Sequence, residues 1–277
     1  MLNMTQILGF VGKKQSGKNT SCNFIIAIKL AELTVCNVAR INADGEIEVS
    51  DVLGEKGSKE WLLFKSPEVS VDELYDNELG KFVRVYAIAD SLKQMAVDIL
   101  GLSKEQAFGS DKDKNSKTKL KWENMPGVIS PSDLKKKGFT QEQVASLGMM
   151  VHRKGVMTAR EVLQYVGTDM FRKMNSDVWL DSLFRRIKKD NAELALVSDV
   201  RFENEVQSIK DQEGFVIGLT RSPYGSSDEH SSESEVTSAI QMCSAVIENE
   251  GMDLSQQNQA IYAAVKHLDG VIPQIEE

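Results

Sequence analysis

Ile7-Leu8-Gly9-Phe10-Val11 leads directly into Gly12-Lys13-Lys14-Gln15-Ser16-Gly17-Lys18-Asn19-Thr20. An apolar run, a loop bounded by glycines and a helical pattern, in this order, predict a strand, a phosphate-binding loop and a helix start. In such a loop the backbone N–H groups point at one spot, and Lys18 reaches the β- and γ-phosphates of a nucleotide. The alternative is an ordinary glycine-rich turn, which the flanking strand and helix disfavour. The residues predicted to bind the phosphates are Gly12, Lys13, Ser16, Gly17, Lys18, Asn19 and Thr20.

The bulk composition excludes several classes of protein. The 277 residues are long enough for one large α/β domain with insertions or for two small domains. They are 41% hydrophobic and 27% charged, with a net charge of −8, which is typical of a soluble globular protein. This acidic balance argues against a nucleic-acid backbone or an anionic membrane as the main partner. The three cysteines lack metal-binding spacing, and their odd number suits a reducing compartment. With neither a signal sequence nor a membrane-length apolar run visible, we expect a cytoplasmic protein.

Five apolar runs alternate with helical patterns along the chain. The runs cover residues 7–11, 82–87, 194–199, 215–219 and 245–247, and helices are predicted between them. A continuous apolar run such as 194–197 is typical of a parallel sheet that is covered on both faces. The pattern therefore predicts an α/β fold, with a five-stranded parallel sheet between helices in three layers and right-handed crossovers. We expect a single domain over residues 1–277.

Capping residues mark where several of these helices begin. Two pairs have the spacing of a capping box, Ser103 with Gln106 and Thr158 with Glu161. Asp90 or Ser91 is predicted to cap the helix that ends at Gly101. These signals define helix starts more sharply than periodicity alone.

Three stretches interrupt the alternation of strands and helices. Residues 38–81, with four glycines and short alternating pieces, predict an insertion that carries a small hairpin outside the core. Residues 126–156, with two prolines, predict a second insertion with one small helix. The serine-rich residues 222–234 are interpreted as a possible lid loop that excludes water, and a disordered surface loop is the alternative.

Polar residues follow three of the predicted strands at the edge where ligands bind to open parallel sheets. These strand ends are the phosphate loop, residues 87–93 and residues 198–201. Asp199 is placed to hold a magnesium-bound water or a substrate hydroxyl, and Arg201 to bind phosphate as a fork. The alternative is a strand-end turn with a surface ion pair. Glu205 either orients the Arg201 guanidinium across one helical turn or is a solvated helix residue.

Phosphoryl transfer requires in-line positioning and positive charge along the path of the transferred group. Lys18, Arg201 and Mg²⁺ can supply this charge, and Thr20 is the nearest hydroxyl for the metal. Trp179 either stacks on a base or belongs to the core. Further candidates, each of which could also be an ordinary helix-surface charge, are Lys93, Arg160 and Arg172.

Several blocks together resemble the deoxynucleoside monophosphate kinases of tailed phages. The blocks are residues 12–20, Ala87-Ile88-Ala89-Asp90-Ser91-Leu92-Lys93, Arg160-Glu161-Val162-Leu163-Gln164-Tyr165-Val166-Gly167-Thr168-Asp169, Asp177-Val178-Trp179 and Asp199-Val200-Arg201-Phe202-Glu203-Asn204-Glu205. Asp228-Glu229-His230-Ser231-Ser232-Glu233 is similar to an acidic, histidine-containing loop of that family. The resemblance implies a P-loop NTPase-type fold and ATP-dependent, Mg²⁺-dependent phosphorylation of deoxynucleoside monophosphates, in support of phage DNA precursor synthesis.

The resemblance also implies roles for individual residues. It implies that Lys18 and Thr20 hold ATP and the metal, and that Asp199, Arg201, Glu205 and Trp179 surround the acceptor. The position of Asp199 at a strand end makes it a candidate for metal binding as well. The catalytic residues on this interpretation are Lys18, Asp199 and Arg201. The acceptor is expected to contact Asp90, Lys93, Arg160, Gln164, Asp169, Trp179, Asp199, Arg201 and Glu205.

Two other hypotheses remain open at this point. One is a kinase of the same fold that acts on another small phosphorylated acceptor, such as phosphomevalonate. The other is a nucleotide-binding switch or motor ATPase. Asn19, in place of the usual hydroxyl residue, argues against a switch GTPase, and Val200 follows Asp199 where an ATPase usually has glutamate. The expected partner is a small-molecule deoxynucleoside monophosphate, with no nucleic acid or membrane and with a homodimer compatible with the sequence.

Overall fold

The computed structural model describes residues 5–33, 36, 38–50, 62–64, 79–222, 231–268 and 270–271. The chain divides into two compact units. The first, Met1–Ile88 with Leu180–Glu277, is called the sheet unit here; the second, Ala89–Trp179, is called the inserted unit.

Strands and helices alternate largely as the apolar pattern predicts. The strands are β1 (Gln6–Gly12), β2 (Val38–Ile41), β3 (Ile47–Ser50), β4 (Leu62–Leu63), β5 (Val83–Tyr86), β6 (Lys117–Lys121), β7 (Val128–Ile129), β8 (Met150–Val151), β9 (Val156–Thr158), β10 (Leu194–Val200), β11 (Phe215–Leu219) and β12 (Ala245–Ile247). The α-helices are α1 (Lys18–Glu32), α2 (Gly80–Phe82), α3 (Asp90–Asp98), α4 (Lys104–Phe108), α5 (Asp111–Lys114), α6 (Pro131–Lys137), α7 (Gln141–Ser146), α8 (Ala159–Gln164), α9 (Val178–Asp190), α10 (Glu203–Asp211), α11 (Ser231–Gln241) and α12 (Leu254–Val265). A 3₁₀ turn covers Trp122–Asn124, and a π-helix covers Tyr165–Arg172.

A five-stranded sheet with the order β12-β11-β1-β10-β5 forms the centre of the sheet unit. Every neighbouring pair in it is parallel. The predicted α/β fold, with a five-stranded parallel sheet flanked by helices, is therefore confirmed. Since β1 lies in the middle with β10 and then β5 on one side, the carboxyl ends of these three strands are neighbours.

The core of the sheet unit lies where α1 covers the central strands. Leu8 and Phe10 of β1 and Ile25 and Leu30 of α1 are each 0% exposed and belong to one cluster. Burying a side chain of this kind contributes about 1.5–3 kcal/mol to folding. This packing holds α1, and with it the loop that precedes α1, at a defined place on the sheet.

The stretch 38–81 is less peripheral than its sequence predicts. The predicted hairpin is present as β2 and β3, and β4 adds a third antiparallel strand. The expectation that this stretch lies outside the core is wrong, because Ile47, Val49 and Phe64 are at most 4% exposed and pack in the same cluster as α1. The alternation of Ile47 and Val49 puts both side chains on one face of a short strand. Residues 51–61 and 65–78 lie outside the described residues.

The inserted unit has a core of its own. Trp122, Met157, Val162 and Tyr165 are at most 8% exposed and form its centre. Antiparallel β6 and β9 form one strand pair, and parallel β7 and β8 form another.

The stretch 126–156 carries two short helices, α6 and α7, where one was predicted. Ser130 caps the first, Gly138 ends it in the left-handed conformation with φ 69°, and Thr140 caps the second. Because a stop signal and a second start signal stand two residues apart, the polar stretch divides into two helices.

The capping boxes are confirmed, but one predicted cap is wrong. Ser103 and Thr158 each accept a hydrogen bond from the backbone three residues later, as predicted. The helix α3 starts at Asp90, and its cap residue Ala89 already has helical backbone angles. Asp90 therefore lies in the first turn, where its carboxylate interacts favourably with the positive end of the helix dipole.

The box at Thr158 makes a stability prediction. Thr158 Oγ1 accepts from Glu161 N at 3.2 Å, and Thr158 N donates to Glu161 Oε2 at 2.7 Å. We expect Thr158→Ala to lower the free energy of unfolding by about 1 kcal/mol. Thr158→Ser keeps the hydroxyl and is the matched control. Urea unfolding followed by circular dichroism measures both; equal stability of the alanine and serine variants would contradict the prediction.

Within the residues covered, no helix combines the length and the apolar character needed to cross a membrane.

Two sequence features extend beyond what the structure describes. Of the predicted lid at 222–234, residues 223–230 lie outside the described residues, and Ser231 begins α11. The acidic, histidine-containing segment at 228–233 is divided in the same way, so its role stays a prediction.

Candidate functional site

The backbone of the phosphate loop requires glycine at both of its ends. Gly12 ends β1, and a Cβ there would overlap Ser16 Oγ and lie 2.9 Å from Leu219 O. Gly17 has φ 100°, a conformation that L side chains rarely adopt, and a Cβ there would lie 2.7 Å from the Gln257 amide. Gln15 is also left-handed, with φ 60°. Left-handed residues that alternate with others, as Gln15 and Gly17 do, turn successive backbone N–H groups toward a common concavity that can bind an anion.

Lys18 lies across this loop. Its Nζ donates to Gly12 O and Lys13 O, both at 2.6 Å, and is 3.5 Å from Ser16 Oγ. The ammonium group is therefore held beside the backbone that is suited to bind phosphate. Asn19 is exposed on the first turn of α1, next to the lysine.

Asp199 reaches the same edge of the sheet through an irregularity in β10. The register between β1 and β10 pairs Gly9 with Val197 but Val11 with Val200, so β10 carries an extra residue at this point. Bulges re-aim side chains and are common beside active sites. Asp199 Oδ1 accepts a hydrogen bond from Ile88 N, just after β5, at 2.7 Å. The predicted meeting of strand ends is thus present for β1, β10 and β5.

The pKa of the buried Cys22 thiol in α1 is shifted by the charges of both Lys18 and Asp199. Burial raises the pKa of the Cys22 thiol, and the Asp199 carboxylate raises it further while Lys18 opposes the rise. Both charged groups therefore act on the same position of α1. The thiol itself stays protonated at neutral pH, and with 2% of its surface exposed Cys22 packs as a small buried hydrophobic residue.

Glu205 supports the turn that presents Arg201. Its Oε2 accepts hydrogen bonds from Arg201 N at 2.8 Å and Phe202 N at 3.2 Å. With only 2% of its surface exposed, Glu205 is not a solvated helix residue, so that alternative is wrong. Arg201 itself is exposed. The carboxylate therefore positions Arg201 through the backbone at the start of α10.

A cavity of about 990 Å³ opens in the sheet unit beside α1. The turn between β2 and β3 forms one side of it, and Asn23 Nδ2 donates to Gly45 O of that turn at 2.8 Å. A Cβ at Gly45, which has φ 79°, would overlap the Thr20 hydroxyl, so this turn packs closely on α1. The polar residues that line the cavity are Asn19, Thr20, Asn23, Arg84, Tyr86, Arg186 and Ser198, together with the acidic Asp44, Glu46 and Asp190.

Two arginines of this lining were missed by sequence reasoning. Arg84 Nε donates to Gly80 O at 3.0 Å, and Arg186 donates to Ala87 O at 2.7 Å while lying over the Tyr86 ring. Tyr86 donates to Asp190 at 3.0 Å, and burial raises the pKa of its hydroxyl. A single charge inside the apolar run Val83-Arg84-Val85 was the one available signal for this cluster.

Four predicted substrate residues in the inserted unit make local contacts. Lys93 Nζ is 4.0 Å from Asp90 Oδ1 and lies over the Phe108 ring. Arg160 donates to Asn115 Oδ1 at 2.9 Å and to Asp111 Oδ1 at 2.8 Å. Asp169 is 3.5 Å from Lys173 Nζ. These are the contacts of helix-surface charges, and the substrate roles of these residues stay predictions.

Trp179 and the π-helix form a linked feature that the sequence pattern did not indicate. The Trp179 indole N–H donates to Gly167 O of the π-helix at 3.1 Å, and the ring packs 5.3 Å from that of Phe171. Only 7% of Trp179 is exposed, which favours the core interpretation over base stacking. π-Helices are rare and frequent at functional sites, and this one contains Gly167-Thr168-Asp169. Gln164, directly before it, is exposed.

The oxygen donors near the loop suit a magnesium ion that arrives with a nucleotide. Thr20 offers a hydroxyl and Asp199 a carboxylate, which are the ligand types that Mg²⁺ prefers. Among the described residues, no group of three or more His, Cys, Asp or Glu side chains could hold a metal. Mg²⁺ usually takes one or two carboxylates and completes its shell with water and substrate phosphates, so the two donors fit.

Comparisons with known proteins agree with this chemistry. The family described as deoxynucleotide monophosphate kinase matches residues 114–259, just over half of the chain. A protein of Acanthamoeba polyphaga mimivirus, provisionally named a deoxynucleotide monophosphate kinase, is 34% identical over 94 residues. That similarity covers 29% of this chain and 48% of the viral protein, so the chain spans about half the length of this relative. The family match contains Asp199 and Arg201 and begins after the phosphate loop.

Proposed function

Because the chain belongs to the deoxynucleotide monophosphate kinase family, we propose that it transfers the γ-phosphoryl group of ATP to a deoxynucleoside monophosphate. The observation that carries the proposal is the loop Gly12–Lys18 beside Asp199 on the neighbouring strand. The loop itself lies outside the family match, so the loop supports the proposal independently of that match. The product is a precursor for DNA synthesis, and a phage origin, a homodimer and a cytoplasmic location belong to the same proposal.

The transfer forms one bond and breaks one. An oxygen of the acceptor phosphate attacks the γ-phosphorus, and the bond from the γ-phosphorus to the β–γ bridging oxygen breaks, leaving ADP. A phosphate monoester has a second pKa of about 6, so the acceptor is already a dianion at neutral pH. No general base is required, and the main demand on the protein is to bring two anions together.

Positive charge and positioning meet this demand. Lys18 exchanges its loop carbonyl partners for the β- and γ-phosphates, and Arg201 faces the transferred group from the end of β10. When bound, Mg²⁺ neutralises charge on the phosphates, with Thr20 and Asp199 as its protein donors. Preorganised charge of this kind is the largest contribution to catalysis in phosphoryl transfer.

The cavity beside α1 is proposed to take the acceptor. Its volume of about 990 Å³ is at the upper end of the range of small-molecule pockets. Arg84 and Arg186 offer guanidinium groups on its wall, and Ser198 connects it to the strand that carries Asp199. The substrate contacts predicted for the inserted unit are part of this proposal, with the exception of Trp179, whose ring packs in the core. Those contacts are Asp90, Lys93, Arg160, Gln164 and Asp169.

A coupled assay tests the activity directly. With ATP and Mg²⁺, we expect ADP release that depends on at least one of dAMP, dGMP, dCMP and dTMP, with the matching diphosphate as product. Phosphomevalonate in the same assay tests the other small acceptor, and ATP alone tests the ATPase hypothesis. ADP release that no deoxynucleotide accelerates, from protein shown to be folded, would contradict the proposed function.

A further inference from the structure

Two buried amide side chains lie directly behind the phosphate loop. Asn249, which follows β12, is 0% exposed, and Gln257 on α12 is 3% exposed. Buried amides are costly unless their hydrogen bonds are made. Neither residue belongs to the reaction described above, so their partners indicate what they are for. We call this pair the amide clamp.

The amide clamp holds two consecutive carbonyl groups of the loop. Asn249 Nδ2 donates to Ser16 O at 2.8 Å and to Gln257 Oε1 at 2.9 Å. Gln257 Nε2 lies 3.4 Å from Gly17 O and donates to Ser21 Oγ at 3.2 Å. Ser21 Oγ in turn donates to Gly17 O at 3.0 Å. Gly17 O also accepts the first backbone hydrogen bond of α1, from Ser21 N at 2.9 Å. The Ser16 carbonyl therefore points at the amide clamp, and the Gly17 carbonyl is shared between α1 and the clamp.

Because the peptide bond is planar, a contact at a carbonyl oxygen also sets the direction of the N–H group that follows it in the loop. In a trans peptide unit, the C=O of one residue and the N–H of the next point in opposite directions. The peptide unit of Gly17 and Lys18 is also oriented by the first hydrogen bond of α1. With Ser16 O turned toward the amide clamp, the N–H group of Gly17 points away from it. That is the direction in which such a loop binds phosphate.

The space around the loop supports a specific fit. A Cβ at Gly17 would lie 2.7 Å from both Nε2 and Oε1 of Gln257, so only glycine allows the amide this close. Asn249 Oδ1 also accepts from Arg221 N at 2.8 Å, just after β11. One side chain thus joins the phosphate loop, the end of β11 and the start of α12.

We propose that Asn249 and Gln257 are positioning residues for the phosphate donor: through the carbonyls of Ser16 and Gly17, they aim the loop N–H groups at the β- and γ-phosphates. The inference rests on the proposed binding of ATP at this loop. A role limited to stability predicts a loss of folded protein with unchanged affinity of the folded fraction. A positioning role predicts weaker binding of ATP with unchanged binding of the acceptor.

Titration calorimetry on the full chain separates these outcomes. We expect Gln257→Leu and Asn249→Leu to raise the Kd of ATP about tenfold and to leave the Kd of the deoxynucleoside monophosphate within about twofold. Gln259→Leu, an exposed position on the same helix, is the matched control and keeps both affinities. Circular dichroism melts confirm that each variant is folded.

A milder variant keeps the test decisive if the leucine variants do not fold. Ser21→Ala removes one donor to Gly17 O and one partner of Gln257, and we expect it to raise the Kd of ATP about two- to threefold. An unchanged Kd of ATP in the folded variants overturns the proposal, as does an equal rise for ATP and the acceptor. A wild-type chain that binds ATP but phosphorylates no deoxynucleotide removes only the proposed function, because the ATP titration still decides on the amide clamp.

Discussion

Lys18→Met is expected to lower kcat about 10²- to 10³-fold, as removal of a preorganised charge-stabilising donor does in other enzymes. Methionine matches the length of the lysine stem but carries no charge to the γ-phosphate. The native ammonium group is held 2.6 Å from Gly12 O and Lys13 O. It is therefore already beside the loop that is proposed to bind the transferred phosphoryl group. The measurement is kcat at saturating ATP and acceptor, with thermal melts to confirm the fold.

The matched control lies on the same loop. Lys14→Met makes the same change of charge at an exposed position, and we expect it to retain most of the activity. Comparable losses in both variants would indicate that general electrostatics near the loop matter more than the specific placement of Lys18. A fully active Lys18→Met enzyme would remove the loop from the mechanism.

Asp199→Asn is expected to lower kcat about 10²-fold and to raise the Mg²⁺ concentration needed for half-maximal rate. Asparagine keeps an oxygen that can accept from Ile88 N, so the turn after β5 retains its 2.7 Å hydrogen bond. The substitution removes the negative charge that is proposed to bind the metal. Steady-state rates at several Mg²⁺ concentrations measure both effects.

A second substitution separates the charge from the hydrogen bond. Asp199→Ala also leaves the Ile88 N–H without its acceptor, so we expect an additional loss of about 1–3 kcal/mol in stability. Asparagine and alanine variants with equal stability would show that the Ile88 contact contributes little. An Asp199→Asn enzyme with unchanged rate and unchanged Mg²⁺ dependence would contradict the proposed metal role.

The fold class could be predicted because its signals are local. Continuous apolar runs such as 194–197 indicate strands buried on both faces, and the interleaved helical patterns leave few topologies other than a parallel sheet. The loop from Gly12 to Thr20 could be recognised for the same reason, since its glycine spacing reflects backbone conformation. The boxes at Ser103 and Thr158 were equally readable, because both partners lie within one turn.

Other features depend on contacts between distant parts of the chain. Val49 and Phe64 belong to the core because α1 covers them, and no local pattern records that contact. The spacing of Glu205 from Arg201 left open whether it orients Arg201 or is a solvated helix residue, and only the structure shows that it is buried under the turn at Arg201. The sequence alone left open whether Trp179 stacks on a base or packs in the core. The structure shows that its indole N–H donates to the carbonyl of Gly167.

Periodicity and glycine spacing were thus sufficient for the sheet and for the loop between β1 and α1, since each follows from backbone conformation over a few residues. The role of Lys18 stays a prediction. The bulge at Asp199, the guanidinium groups of the cavity and the contact of Asn249 with Ser16 required the folded chain. Asn249 lies 233 positions from its partner, and such a pairing is set by how the strands order in the sheet. That order depends on the packing of the whole unit, which short-range preferences do not encode.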